Sequence, residues 1–248
     1  MSSNIRILDV GAANGFDSTG WGGVSLIGFE PDSRSYISLV SSGKFEKVFP
    51  CALGSSSEAR TLYLTRKKEV SSFLKPNRAY VDLFPDSSRW DIISQEEIEV
   101  RPLDVFQDEI GEIDFIKLDT QGTELDILLG SINSLKSVLA VQIEVEFIEI
   151  YEGQPLFSDI LSFMNQNGFQ FYDFTTEYRY GRQELNRKGQ LAFADALFMR
   201  TPEYVLETYK INDAKLTKYI KIVEVFGKND LKVVVEENFR AQDGNRVY

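Results

Sequence analysis

Short apolar runs recur along the chain, each ended by small or acidic residues. Residues 5–10 (Ile-Arg-Ile-Leu-Asp-Val) are β-branched and apolar, and predict a buried strand. The run stops in Gly11-Ala12-Ala13-Asn14-Gly15, a turn almost without side chains. Only residues 16–23 separate it from the next apolar run, and three of these eight are glycine, so any helix there is short or irregular. Residues 24–29 predict a second strand, stopped by Glu30-Pro31, because the residue before a proline is pushed out of the helical region. Asp32 or Ser33 then caps a helix running to about residue 42. Residues 48–53 predict a third strand, ended by Gly54 and a serine cluster.

Residues 58–103 read differently. Two strand-like stretches, 60–65 and 98–103, are separated by polar loops, which predicts an insertion with a hairpin and a mobile loop. The alternation of strand and helix then resumes. A strand at 113–118 precedes a helix starting near Gly122, whose Leu125, Leu128, Leu129 and Ile132 share one face. A strand at 138–145 precedes a helix with Phe157, Ile160, Leu161 and Met164 on one face, closed by Gly168. Strands at 169–174 and 193–199 follow, and about residues 203–240 predict a mostly helical tail. This order defines an α/β fold, Rossmann-like and doubly wound, with a mostly parallel seven-stranded sheet flanked by helices. We place one domain at 1–200, with its insertion at about 58–103, and a helical extension at 201–248 packed on it.

Composition narrows the chemistry. A net charge of −11 argues against nucleic acid and anionic membranes as partners; Arg66-Lys67-Lys68, a lone basic run, reads as a solvated loop. The chain has no histidine, so Ser-His-Asp, Cys-His and His-metal schemes are excluded. A metal, if used, takes oxygen ligands, which means Mg or Mn. One cysteine, Cys51, forms no internal disulfide, and neither a leader nor 18 consecutive apolar residues occurs, so the expected setting is cytoplasmic.

In a sheet of this kind ligands bind at the carboxyl ends of the strands. The turn 11–15 lets a ligand approach the backbone closely, or is simply tight. Glu30, 15 residues after Gly15, is an acceptor-only carboxylate suited to the two hydroxyls of a ribose, or is a surface or capping acid. The pattern Asp9-x-Gly11-x-x-x-Gly15 departs from the G-x-G-x-x-G of dinucleotide sites, and Asp9 would repel a pyrophosphate but suits an ammonium and a sulfonium. S-adenosylmethionine is thereby favoured over NAD. Cys51-Ala52-Leu53-Gly54 form either one wall of an adenine slot or plain core. Lys117, Asp119 and Gln121 alternate with Ile116 and Leu118, and Gln142, Glu144 and Glu146 share a face of the next strand. Buried charges need partners, so these two sets form either a catalytic cluster or a structural ion pair.

Taken together, the sequence resembles the FkbM family of methyltransferases. The resemblance is carried by ILDVGAANG (7–15), IGFEPD (27–32), CALG (51–54), VSSF (70–73), RPLDVF (101–106), FIKLDTQGTELDILLGS (115–131), IEVEF (143–147), YEGQPLFSDILSFMNQNGFQFYD (151–173) and FADALFMR (193–200). It implies an S-adenosylmethionine-dependent O-methyltransferase acting on a hydroxyl of a sugar or glycan, such as a deoxysugar of the rhamnose kind. It implies that Asp9, Gly11, Ala12, Ala13, Asn14 and Gly15 line the methionine and ribose portion, with Glu30 and Pro31 at the ribose. Ala52 and Leu53 flank the adenine, and Ser72 and Asp104 border the pocket. Where the family carries a glutamate before the glycine of the fourth segment, this chain has Gln121.

On this reading Asp119 is the general base, Glu144 its understudy, and Lys117 orients the acids. Alternatively Asp119 and Glu144 hold a divalent ion that lowers the hydroxyl's pKa. Residues 66–90 with Tyr178, Arg179, Tyr180 and Arg182 are candidates to hold the acceptor. The rival readings are an NAD-linked oxidoreductase and a non-catalytic S-adenosylmethionine-binding or scaffolding domain. The first strand begins almost without preamble, so the chain is expected to be a piece of a larger multidomain glycan-synthesis protein.

Overall fold

The computed structural model describes residues 4–13, 15–182, 189–209 and 212–244. In chain order the strands are β1 (Ile5–Val10), β2 (Val24–Phe29), β3 (Lys47–Phe49), β4 (Ala52–Leu53), β5 (Glu58–Thr65), β6 (Ile92–Arg101), β7 (Phe115–Leu118), β8 (Ala140–Glu146), β9 (Gln170–Tyr180) and β10 (Gln190–Met199). The helices are α1 (Ser33–Ser42), α2 (Arg78–Val81), α3 (Gln107–Ile110), α4 (Glu124–Leu129), α5 (Phe157–Gln166), α6 (Pro202–Thr208), α7 (Asp213–Val225) and α8 (Asn229–Gly244).

Seven strands form one sheet in the order β3-β2-β1-β7-β8-β10-β9. All pairings among β3, β2, β1, β7 and β8 are parallel, and β10 runs antiparallel to both its neighbours. The sheet is therefore the mostly parallel, seven-stranded Rossmann-like one that the pattern predicts. The reversal of strand order beside β1 opens the crevice in which such sheets hold ligands.

The predicted third strand is broken in two. Phe49 closes β3 by accepting the amide of Glu30 at 3.1 Å. Pro50 follows with no N–H to extend the ladder. The chain leaves the main sheet there, and Ala52–Leu53 pair instead with β6. The insertion is the antiparallel β5–β6 pair, whose second strand starts six residues earlier than the pattern suggests. Its first part, exposed on both faces, lacks the apolar alternation by which a strand is recognised.

No helix follows the glycine turn among the described residues 15–23. Phe16 and Trp21 turn inward there and pack with Phe115 and Phe226. This aromatic group joins Ile5, Ile7, Leu26, Leu197 and Met199 of the sheet to Leu216, Tyr219, Ile222 and Val223 of α7. The C-terminal helices thus cover the face that a helix after β1 would otherwise shield. Asp114 pins them: buried just before β7, it takes Lys215 Nζ at 2.8 Å and Lys218 Nζ at 2.7 Å. The other face, including Leu8, Val10, Ile116, Leu118 and Ile143, packs with Ile127, Leu128, Ile160 and Met164 of α4 and α5.

The pairing register carries one face from apolar to polar. Ile7, Phe115, Ala140 and Met199 are in register, and Asp9, Lys117 and Gln142 follow two residues on, with Glu144 paired to Asp195 beyond. Side chains two apart share a face. Charge is therefore concentrated toward the carboxyl ends of β1, β7 and β8. Among the described residues no helix is long and apolar enough to cross a membrane.

Candidate active site

The carboxyl ends of β1, β2, β7 and β8 open into one cavity of about 270 Å³. Its walls include Gly11 and Ala13 of the first turn, Glu30 and Pro31 after β2, and Ala52 and Leu53 of β4. Ser72, Asp119 and Glu144 line it as well. Asp9 near the end of β1, and Ala12 and Gly15 on the turn, do not line the cavity, and Asn14 lies outside the described residues.

The first turn is set by sterics. Gly11 has φ +75°, and a Cβ there would stand 1.9 Å from the carbonyl oxygen of Asp119. Only glycine lets β1 and β7 end side by side. Asp9, at 1% exposure, has no hydrogen-bond partner on either carboxylate oxygen among the described residues. Burial pushes its pKa up to about 6, against the pull of the Lys117 ammonium. An orphaned buried carboxylate is costly and calls for a cationic or donor ligand.

Glu30 is also buried. Desolvation raises its pKa to about 7, opposed by the Asp32 amide that it accepts at 2.8 Å. Asp32 caps α1 by accepting Arg34 N and is tied to the Arg34 guanidinium.

The turn after β7 is organised by Glu124 and Gln121. Glu124 accepts the amide of Thr120, the hydroxyl of Thr120 at 2.9 Å and the amide of Gly122 at 3.0 Å. Burial raises its pKa to about 7, even though these donors favour the carboxylate. Gln121 Nε2 donates to Asp119 Oδ1 at 3.1 Å and to Glu144 Oε1 at 2.6 Å. Lys117 Nζ donates to Asp119 Oδ2 at 3.0 Å. Burial alone would lower the Lys117 pKa, but the charges of Asp119 and Asp9 hold it above its usual value. Glu144 is pushed well up, first by burial and then by Asp119, Glu146, Glu124 and Asp195 around it.

A strap, residues 65–73, borders the cavity and lines it with residues 67–73. Thr65 N donates to Ser71 Oγ at 3.1 Å, and Ser72 Oγ donates to the Gln121 carbonyl at 2.7 Å. The strap places Lys67, Lys68 and Phe73 against the cavity. The basic run read as a solvated loop is thus partly a cavity wall. On the far side Tyr178 lines the cavity and stacks on Phe193, with centroids 4.4 Å apart and planes at 14°. Arg179 instead pairs with Glu177, away from the lining, and Tyr180 packs with Trp90 and Phe84. Arg182 does not line the cavity either.

Two expectations are corrected. Asp104 does not border the cavity: its carboxylate accepts the amides of Asn133 and Ser134 and the Ser134 hydroxyl, at 2.7–2.9 Å. It holds the turn before β8. A divalent ion between Asp119 and Glu144 does not fit either. The space between the two carboxylates is bridged by an amide nitrogen, a donor that repels a cation, and no group of three or more His, Cys, Asp or Glu is arranged around a metal among the described residues.

The strand order, the glycine turn and the acid after β2 together define a class I, Rossmann-like methyltransferase fold with a site for S-adenosylmethionine. Residues 9–171 match the model of the methyltransferase FkbM domain, and the chain belongs to this family. No curated protein matches the sequence significantly. Among solved structures it is similar to magnesium protoporphyrin IX methyltransferase from Synechocystis PCC 6803 with bound SAM, at 9% identity and TM-score 0.41, over 80% of this chain and 71% of that one. It is also similar to a TehB-like SAM-dependent methyltransferase from Corynebacterium glutamicum, at 12% identity and TM-score 0.39, over 81% and 83% of the two chains.

Proposed function

We propose that this S-adenosylmethionine-dependent methyltransferase transfers the methyl group to a hydroxyl of a sugar or glycan. The observation that carries the reading is Asp119. Asp119 lines the same cavity as Glu30, the first turn and the stacked Tyr178.

S-adenosylmethionine, when bound, supplies an already activated methyl group. Glu30 would take the ribose hydroxyls, and Ala52 and Leu53 would flank the adenine. Asp9 supplies a negative charge behind the cavity wall, suited to the ligand's cationic groups. Asp119 is fixed through both oxygens, by Lys117 and by Gln121. Each oxygen keeps a further lone pair for an acceptor hydroxyl. Asp119 takes that proton as the hydroxyl attacks, a role that contributes roughly 10²–10⁴-fold to a rate. Glu144 is disfavoured as the base, because burial and its acidic neighbours make it hold its proton. Tyr178, 42% exposed, offers an aromatic face to a sugar ring, with Phe193 behind it.

The test is calorimetric titration with S-adenosylmethionine and, separately, NAD, followed by labelled-methyl transfer onto a panel of deoxysugar glycans. Binding of S-adenosylmethionine alone, with label in a sugar ether, supports the reading. Label recovered only at nitrogen or carbon would overturn it.

A further inference from the structure

We propose that Gln121 is a positioning residue whose amide nitrogen takes the seat a divalent cation would occupy between Asp119 and Glu144, so that the acid pair is held without a metal. This rests on the reading of Asp119 as the acid that meets the acceptor.

The side chain is fixed at both ends. Its nitrogen donates to Asp119 Oδ1 at 3.1 Å and to Glu144 Oε1 at 2.6 Å, which uses both amide protons. Its oxygen lies 2.8 Å from the hydroxyl of Tyr151, 1% exposed, which shares its one proton between this oxygen and the Val70 carbonyl at 3.0 Å. A flip of the amide would turn its oxygen toward Asp119 Oδ1, acceptor against acceptor, and remove the donor that Asp119 has there. The backbone is held too. Gln121 has φ +60°, a left-handed conformation unusual outside glycine, and its carbonyl accepts Ser72 Oγ at 2.7 Å. Such backbone persists only where its surroundings over-determine it. Here the surroundings serve to aim one amide at two acids.

The chemistry of the seat follows from the atom placed there. Mg and Mn sites are built from oxygen ligands. An N–H₂ between two carboxyl groups supplies protons where a cation would need lone pairs. A carboxylate at this position would make a three-acid, all-oxygen set with Asp119 and Glu144. The choice of amide over acid at residue 121 therefore decides whether the site takes a metal.

The experiment titrates Mn²⁺ alone into the full chain and follows free Mn²⁺ by electron paramagnetic resonance. The wild type should leave the signal unchanged. Gln121→Glu should bind Mn²⁺ at least about tenfold more tightly, and adding Asp119→Asn to it should abolish that binding. Wild-type binding that Asp119→Asn removes, or identical behaviour of wild type and Gln121→Glu, overturns the proposal. A second measurement does not depend on that variant folding. Hydrogen exchange of the Gln121 side-chain amide, read by NMR, should be slow in the wild type and at least about tenfold faster in Tyr151→Phe. An amide that exchanges freely in the wild type, or at the same rate in both, also overturns it. None of these readouts uses cofactor or acceptor. A chain that binds no S-adenosylmethionine sinks the methyltransferase reading on its own, whatever the Mn²⁺ result.

Discussion

Lys117 Nζ lies 3.0 Å from Asp119 Oδ2, and Lys117 stands in register with Asp9 on the neighbouring strand. One cation thus serves two acids at the mouth of the cavity, and only Asp119 of these acids lines it. Asp119→Asn keeps the shape and the hydrogen-bonding capacity toward Gln121 while removing the acceptor for a proton. Turnover should fall by roughly 10²-fold or more while S-adenosylmethionine affinity stays close to that of the wild type. Calorimetry combined with release of S-adenosylhomocysteine separates the two effects. Unchanged turnover would remove Asp119 from the base role.

Glu30 makes cofactor binding depend on pH. Its pKa in the free protein is raised to about 7 by burial. A ribose diol donates two hydrogen bonds, so it prefers the ionised carboxylate. Affinity should therefore rise as pH climbs toward about 7 and level off above it, with at most one proton released. Glu30→Gln should flatten that rise and weaken binding by about 1.5–3 kcal/mol at pH 8, the range for hydrogen bonds to a charged group. Titrations from pH 6 to pH 8.5 would check this. A wild-type affinity independent of pH would refute the ribose assignment.

Asp104 should matter for stability only. Its carboxylate satisfies two backbone amides and one hydroxyl at the turn 133–134. Asp104→Ala should cost about 1–2 kcal/mol, as for loss of a helix cap, with no change in S-adenosylmethionine affinity. Chemical denaturation beside calorimetry gives both numbers. Loss of affinity at undiminished stability would return Asp104 to the site.

Asp104 also shows where sequence reasoning stops. The strand ends after β1, β7 and β8 were legible because a buried strand interrupted by Asp9, Lys117 or Glu144 violates its own apolar pattern. The glycine turn and Glu30 were legible because their spacing suits a ribose ligand. Asp104 follows a strand too, but its partners lie about 30 residues on, and nothing local announces them. Residues 66–90 stood as candidates to hold the acceptor, but nothing local singled out Lys67 and Lys68 among them, and their place in the cavity wall was hidden for the same reason. It depends on the strap closing through Ser71 and Ser72, and Ser72 bonds a carbonyl 49 residues away. The Gln121 bridge left a signal, a polar residue in the Lys117-Asp119 alternation, but the sequence could not show that its amide spans two strands.

Asp9 is the residue at which stability and binding should pull in opposite directions. It is buried with no hydrogen bond to either oxygen among the described residues, and its folded pKa, about 6, lies above its ordinary value of 3.8. A raised acid contributes stability that is present below about pH 4 and is lost as pH rises through 6. A shift of about two units corresponds to about 3 kcal/mol, as an order of magnitude. Asn cannot ionise, so Asp9→Asn should match the wild type near pH 4 and exceed it by up to about 3 kcal/mol at pH 8. The same change removes the negative charge beside the first turn. S-adenosylmethionine affinity should therefore fall at pH 8, where the wild-type carboxylate is ionised. Thermal melts at pH 4, 6 and 8, with calorimetry at pH 8, decide the matter. A variant that is less stable than the wild type at pH 8 would mean that Asp9 is satisfied by the protein itself, through Lys117. A more stable variant that binds as tightly would mean that the cofactor's cationic groups lie elsewhere.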